Sequence, residues 1–233
     1  MIKFILNKLL YRTSSDRFIK YLRERGMKIG KGTTFLSPNH TFIDEGRSKW
    51  ISIGDNCTIC RNVTILAHDY SWSTLVKSHG VFLPTGGGEV KIRNNVFIGE
   101  GAMILRNVDI GNNVIVGAGS VCVKNIPSNS VVAGVPAQII MSLDDYFCKR
   151  STDLISEAKI NYNYLQNNHI EINETTMKNF SPLYMERSEE NIKTYLVENG
   201  CVGFEESELR NYLSQTKPMF NSFLEFIEHL SVN

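Results

Sequence analysis

The sequence predicts a mainly β protein whose central part is a parallel β-helix. Isoleucine or valine recurs every six residues through the middle of the chain, at Ile92, Ile98, Ile104, Ile110 and Val116. Three places after these anchors the chain has only Asn or Gly, at Asn95, Gly101, Asn107, Asn113, Gly119 and, one step on, Asn125. Both residue types accept a left-handed backbone at low cost. Each hexapeptide is therefore predicted to be a short strand plus a corner, and three of them close one triangular coil.

Three segments are predicted along the chain. Residues 1–27 form an N-terminal helical segment that packs against the base of the coil, residues 28–140 form the β-helix, and residues 141–233 form an α-helical C-terminal extension. The first coil is irregular, since a polar run beginning at Pro38 breaks the pattern. The phase is also lost over residues 70–89, where a flexible loop is expected to project from a corner. In the extension, an Asn-rich linker is expected around residues 161–168.

Charge is distributed unevenly between the coil and the extension. Residues 1–141 carry 17 basic and 9 acidic side chains, whereas residues 142–233 carry 8 and 15. The basic coil suits an anionic ligand such as a phosphorylated cofactor, and the acidic extension argues against nucleic acid as a partner. Two independently solvated surfaces would give the same pattern. The apolar N-terminal segment leaves room for peripheral membrane association at most.

Cysteine usage favours a reducing compartment. The chain has five cysteines, an odd number, and the only close pair is Cys57 and Cys60. In the six-residue phase Cys57 fills a small-residue slot and Cys60 follows an anchor, so both are expected to be structural thiols rather than metal or redox groups. A cytoplasmic location is expected.

His68 lies three residues after the anchor Ile65, at the corner position where the repeat should have Asn or Gly. A titratable imidazole at a corner from which the loop departs suggests a general base that removes a proton from a hydroxyl or amine. A purely structural histidine remains an alternative. The neighbouring Asp69 is expected to orient the imidazole, or else to bind substrate or another subunit.

Several motifs together resemble the hexapeptide-repeat acyltransferases. They are the tandem Ile-Gly-Asn-Asn-Val-like hexads, the Gly-Ala-Gly-Ser-Val run from residue 117, Lys124 before Ile126-Pro127, and the Ala-Gly-Val-Pro-Ala run of residues 133–137. The resemblance covers residues 27–140. It implies a left-handed coil, a homotrimer with active sites between neighbouring subunits, and acetyl-CoA as the acyl donor bound along the edge of the coil.

The resemblance also implies roles for individual residues. His68 matches the family's catalytic histidine, Ala118 the backbone contact for the pantetheine, and Lys124 a basic contact for the nucleotide end. Val123 replaces a frequent threonine. Phe97 replaces a frequent tryptophan and lacks its indole donor, so Trp72 in the loop is expected to take over near the thioester or the acceptor. The residues expected to bind acetyl-CoA are Phe97, Gly99, Gly117, Ala118, Val123, Lys124 and Pro136, and those expected to bind the acceptor are Tyr70, Trp72 and His79.

The resulting hypothesis is O-acetylation of a sugar of a cell-surface polysaccharide by direct transfer, with no metal. N-acetylation of a nucleotide-linked amino sugar is the main alternative. A zinc enzyme resembling the γ-carbonic anhydrases would have to use His40, His68 and His79, and a non-catalytic scaffold would have no use for His68. Both of these alternatives are disfavoured.

Overall fold

The computed structural model describes residues 10–82, 86–199 and 206–232. The chain divides into two compact units, residues 1–146 and residues 147–233. Residues 1–9 of the helical segment expected at the N-terminus lie outside the described residues, as does Cys201.

The first unit contains the predicted β-helix. Its described strands, in chain order, are β1 (Lys28–Ile29), β2 (Thr34–Phe35), β3 (Phe42–Ile43), β4 (Ile51–Ile53), β5 (Thr58–Ile59), β6 (Thr64–Ile65), β7 (His68–Asp69), β8 (Gly86–Gly87), β9 (Val90–Ile92), β10 (Val96–Ile98), β11 (Met103–Ile104), β12 (Asp109–Ile110), β13 (Val114–Val116), β14 (Val121–Cys122), β15 (Ser130–Ala133) and β16 (Gln138–Ser142).

Parallel pairing arranges these strands in three faces. The first face contains β1, β4, β9 and β12, the second contains β2, β5, β10, β13 and β15, and the third contains β3, β6, β11 and β14. Strand β16 adds to the second face in antiparallel orientation. Val96 pairs with Val114, 18 positions on, which confirms three hexapeptides per coil. We call the junction of the first and second faces the first corner, that of the second and third faces the second corner, and that of the third and first faces the third corner.

The anchors form a buried column, as the six-residue period predicts. Ile98, Ile104 and Ile110 have no exposed surface. Left-handed backbone occurs at most of the predicted corner positions, namely Asn95, Gly101, Asn107, Asn113 and Gly119, and also at Asn56 and Asn62 one coil earlier. These corner predictions are therefore confirmed.

Two corner predictions are wrong, and the reason is a local change in coil length. Asn125 is not among the described residues with positive φ. Ile126 pairs with Ile110 at an offset of 16 rather than 18, so this last passage of the third corner is two residues shorter. His68 is not among those residues either; it lies in β7, which pairs antiparallel with β8.

The described part of the excursion, residues 70–82 and 86–89, has regular secondary structure where a flexible loop was expected. It contains helix α2 (Trp72–His79), which ends at Gly80 in a left-handed conformation, and strand β8. Eight residues are too few for a helical period to stand out in the sequence. Gly87 is needed for close approach, because a Cβ there would lie 2.1 Å from Cζ3 of Trp50.

The N-terminal part of the first unit covers the start of the coil. Helix α1 (Ser15–Glu24) begins after Ser14, whose side chain accepts a hydrogen bond from the Arg17 N–H. Its apolar face is buried in the coil's core, where the Phe18 ring meets that of Phe35 edge to face at 5.0 Å. Two 3₁₀ helices, Pro38–His40 and Glu45–Trp50, fill the irregular first coil.

The second unit is helical. Helix α3 (Leu143–Asn167) begins in the first unit and is followed by a 3₁₀ helix (Lys178–Leu183), α4 (Glu189–Asn199), α5 (Glu206–Gln215) and α6 (Phe223–Val232). The expected linker at residues 161–168 is wrong, because α3 continues through it and buries Tyr162 and Leu165 in the unit's core. Over the described residues, no helix has both the length and the apolar character needed to cross a membrane.

Candidate active site

A histidine and a carboxylate from adjacent coils meet at the third corner. Asp44 follows β3, and His68 lies three residues after β6, the strand that pairs with β3. His68 Nδ1 and Asp44 Oδ2 are 2.5 Å apart. The Asp44 side chain is 9% exposed and that of His68 18%. The coil therefore holds a largely buried acid-base pair at its edge.

This contact fixes the tautomer of His68. A carboxylate only accepts hydrogen bonds, so Nδ1 carries the proton and donates a hydrogen bond to Asp44. In the neutral ring, Nε2 is left with an unshared electron pair. Arg47 Nε also approaches Asp44 Oδ2, at 3.9 Å. The arrangement can take a proton at Nε2 and stabilise the resulting imidazolium through the adjacent carboxylate.

The structure gives the orienting position to Asp44 and not to the predicted Asp69. Consecutive strand residues point to opposite sides, so Asp69 faces away from the imidazole beside it. Its carboxylate accepts hydrogen bonds from the backbone N–H of Ser71 and from Arg106 Nη2, at 2.8 and 3.1 Å. The Ser71 N–H, assisted by Arg106, lowers the pKa of Asp69.

Sequence reasoning missed Asp44 because the first coil does not keep the 18-residue offset. Phe42 pairs with Thr64, an offset of 22. An acidic residue directly after an isoleucine anchor, one coil before the histidine, was the available signal.

The three residues expected to bind the acceptor lie in or beside the excursion. The Tyr70 ring is 61% exposed, and its centroid is 4.5 Å from that of His68. Trp72 packs against Phe82 at 5.3 Å, and its indole N–H has no hydrogen-bond partner among the described residues. His79 is exposed at the end of α2, where Nδ1 lies 2.7 Å from Ser78 Oγ. Of the three, the structure brings Tyr70 against the histidine.

Four of the residues expected to bind acetyl-CoA lie at the second corner: Gly99, Gly117, Ala118 and Pro136. Gly99 is a point of close approach, since a Cβ there would lie 2.6 Å from the backbone nitrogen of Ala118 in the next coil. Ala118 is exposed, and its N–H has no acceptor among the described residues. This corner therefore presents an available backbone donor.

The other three expected cofactor residues lie elsewhere on the coil. Phe97 is 42% exposed on the second face and lines a shallow apolar pocket of about 370 Å³ with Ile115, Leu143 and Tyr146. Val123 and Lys124 are exposed at the third corner, beyond β14. The second and third corners are opposite edges of the third face, so within one chain Ala118 and His68 are not brought together.

The three histidines considered for zinc have separate partners. His40 Nδ1 lies 2.8 Å from Ser37 Oγ, while His68 and His79 contact Asp44 and Ser78. No group of three or more His, Cys, Asp or Glu side chains placed to hold a metal ion occurs in residues 10–82, 86–199 and 206–232.

The repeats match a known family model, and several known proteins are similar to this chain. The family model for bacterial transferase hexapeptide (six repeats) matches residues 89–124. Protein CapG of Staphylococcus aureus is 35% identical over 170 residues, which cover 70% of this chain and 91% of CapG. Putative acetyltransferase YvoF of Bacillus subtilis is 34% identical over 58% of this chain and 66% of its own length. Among solved structures, a maltose O-acetyltransferase from Clostridium difficile aligns with 28% identity and a TM-score of 0.46, over 59% of this chain and 82% of that one.

Proposed function

Because this chain belongs to the hexapeptide-repeat family of acyltransferases, we propose that it transfers an acetyl group from acetyl-CoA to a hydroxyl of a sugar destined for a cell-surface polysaccharide. The left-handed coil of the family and a cytoplasmic location are part of the proposal. The observation that carries it is the 2.5 Å contact between Asp44 and His68 at the corner where the excursion leaves the coil.

The proposed reaction is a direct transfer. Nε2 of His68 accepts the proton of the acceptor hydroxyl while the oxygen attacks the thioester carbonyl. Asp44 stabilises the positive charge that develops on the ring. When the tetrahedral intermediate collapses, the carbon–sulfur bond breaks and the imidazolium returns its proton to the departing thiolate. The protein forms no covalent bond to the acetyl group.

The second corner fits the donor's pantetheine arm. The exposed N–H of Ala118 can donate to one of its amide oxygens. Gly99 in the preceding coil keeps the surroundings of that nitrogen free of a side chain, since a Cβ there would lie 2.6 Å from it. Lys124 would meet a phosphate at the nucleotide end. We also propose that the protein is a homotrimer, in which the second corner of one chain faces the third corner of its neighbour and completes each site.

Replacing His68 tests the chemistry. His68→Gln should retain acetyl-CoA binding, whereas the initial rate of thiol release with a sugar acceptor should fall by about 10²–10⁴-fold, the usual contribution of a general base. A panel of hexoses, oligosaccharides and nucleotide-linked amino sugars identifies the acceptor. If only an amino sugar nucleotide supports thiol release, the enzyme is the N-acetyltransferase instead. A variant that keeps the parent rate would exclude His68 as the base.

Mixing two inactive chains tests the shared site. His68→Gln removes the base, and Ala118→Trp blocks the donor corner at an exposed position. If each site takes its histidine from one chain and its donor corner from the next, an equal mixture should regain about one quarter of the parent activity. In a random mixture, half of the chains that supply the histidine and half of those that supply the donor corner are intact at that part, so about one site in four has both. Sites built within single chains would regain none. Subunits must first be unfolded and refolded together so that they exchange.

A further inference from the structure

Two exposed aromatic rings lie near the proposed dyad, and one of them, Trp50, has no role in the proposed transfer. Trp50 is the last residue of the 3₁₀ helix that begins directly after Asp44, and 43% of it is exposed. Tyr70 lies against His68. Large aromatic side chains exposed beside a reactive group are a common feature of ligand sites.

The Trp50 ring is directed at the strand opposite His68. A Cβ at Gly87 would lie 2.1 Å from Cζ3 and 3.0 Å from both neighbouring ring carbons, and these distances are those of an approach along the ring's edge. Gly87 is the residue that pairs with His68. The edge of the indole is thus packed next to the catalytic strand, and its faces are not covered by that strand.

Charge at this place is already balanced by the protein's own groups. The Arg47 guanidinium lies over one face of the Trp50 ring, 5.5 Å from its centre, and approaches Asp44, so a ligand would stack on the other face. Arg106 is paired with Asp69 on the other side of His68. A ligand that binds here therefore meets aromatic surface and paired charges, which suits a neutral ring better than a phosphate.

We propose that Trp50 and Tyr70 form a platform for the acceptor, and that the group held there is a neutral pyranose ring whose apolar C–H face stacks on the exposed indole. This inference rests on the proposed function and names the class of its substrate. It moves the main acceptor contact from the predicted Trp72 and His79 to a residue in the preceding coil. One hydroxyl of the stacked sugar would then lie beside Nε2 of His68.

Tryptophan fluorescence tests this binding without a change at the platform. The chain has two tryptophans, so Trp72→Phe leaves Trp50 as the reporter. Titration with methyl hexopyranosides should shift or quench the emission of Trp50. A saccharide that the enzyme accepts as a substrate should do so most strongly. An unchanged emission at about 100 mM of every pyranoside would overturn the proposal, since weak stacking alone is detectable at that concentration. An equal response to UDP and to a UDP-sugar would also overturn it, because the ring would then be binding a base.

Kinetics separate this platform from the chemistry of transfer. Trp50→Leu should raise the acceptor KM about tenfold through loss of stacking, while Trp50→Phe should stay within about threefold of the parent. The KM for acetyl-CoA and the oligomeric state should not change in either variant. Tyr164→Leu, an exposed aromatic residue in the second unit, is the matched control and should leave the acceptor KM unchanged. Parent-like KM values in Trp50→Leu, or dissociation of its subunits, would show that the indole is structural. If acetyl transfer proved independent of His68, the proposed function itself would be wrong.

Discussion

Replacing Asp44 by Asn should disable the proposed base without removing it. The substitution keeps the size of the side chain but supplies a neutral amide to Nδ1 of His68. An amide cannot stabilise the imidazolium as a carboxylate does, and its NH₂ group favours the tautomer in which Nε2 carries the proton. We therefore expect kcat to fall by about 10²–10⁴-fold, with the KM for acetyl-CoA within about twofold of the parent.

The effect on stability should be modest and separable from the effect on rate. The contact that is weakened is a nearly buried hydrogen bond to a charged group, which contributes about 1.5–3 kcal/mol. A change of 1 kcal/mol moves Tm by about 2–4 °C in a chain of this size, so Tm should fall by less than about 12 °C. Thiol release at saturating donor, measured well below Tm, reports the rate of the folded enzyme.

Asp69→Asn is the matched control, because it changes the neighbouring carboxylate in the same way. Asp69 contacts Arg106 and Ser71, so we expect this variant to keep at least about a third of the parent rate, as is usual for an exposed polar contact. Loss of activity in Asp69→Asn together with normal activity in Asp44→Asn would show that the orienting carboxylate is Asp69, and the geometric argument would then fail.

Three further outcomes are expected. Gly99→Ala places a Cβ within 2.6–2.9 Å of the next coil's backbone and should cost about 1–3 kcal/mol in urea unfolding, whereas Gly46→Ala, whose Cβ would have an ordinary 3.6 Å contact, should cost under about 0.5 kcal/mol. Arg12→Met removes three hydrogen bonds of 2.7 Å, to the carbonyl oxygens of Pro38 and Thr41 and to the Glu45 carboxylate. It should lower the free energy of unfolding by about 2–4 kcal/mol, and an unchanged midpoint of urea unfolding would contradict this. Thiol labelling at pH 8 followed by peptide mapping should modify exposed Cys148 well before Cys122, whose pKa burial raises to about 11; equal rates would contradict the burial.

The repeats could be predicted from sequence because every residue in a regular coil has one repeated task. Anchors at six-residue spacing are buried in one column, and Asn or Gly appears where the backbone turns left-handed. Such a pattern is local and appears in every coil. The helices of the second unit were harder to delimit, since Tyr162 and Leu165 are buried among distant residues within an Asn-rich stretch.

The site was predicted only in part, because its geometry depends on pairing between coils of unequal length. His68 stood out as a bulky residue out of place in the repeat, yet the backbone it adopts is a strand rather than a left-handed corner. The carboxylate beside it comes from a coil with a 22-residue offset, which no fixed period reveals. Trp50, which we propose as the acceptor platform, could not be predicted for the same reason, because it directly follows the polar run of that irregular coil.

Two of the corners differ in how strictly their sequence is constrained. Along the first corner, side chains of successive coils bond to one another: Asn95 donates to Asn113 and Asn113 to Asn129, each at 2.8 Å. This ladder needs identical residues in register, so insertions there would break it. The third corner has no such constraint in the coils that hold Asp44 and His68, and it accommodates the 3₁₀ helix, the excursion and the later two-residue shortening. Because the faces on either side stay in register, these irregular segments can vary in length while the buried column keeps Asp44 and His68 one coil apart.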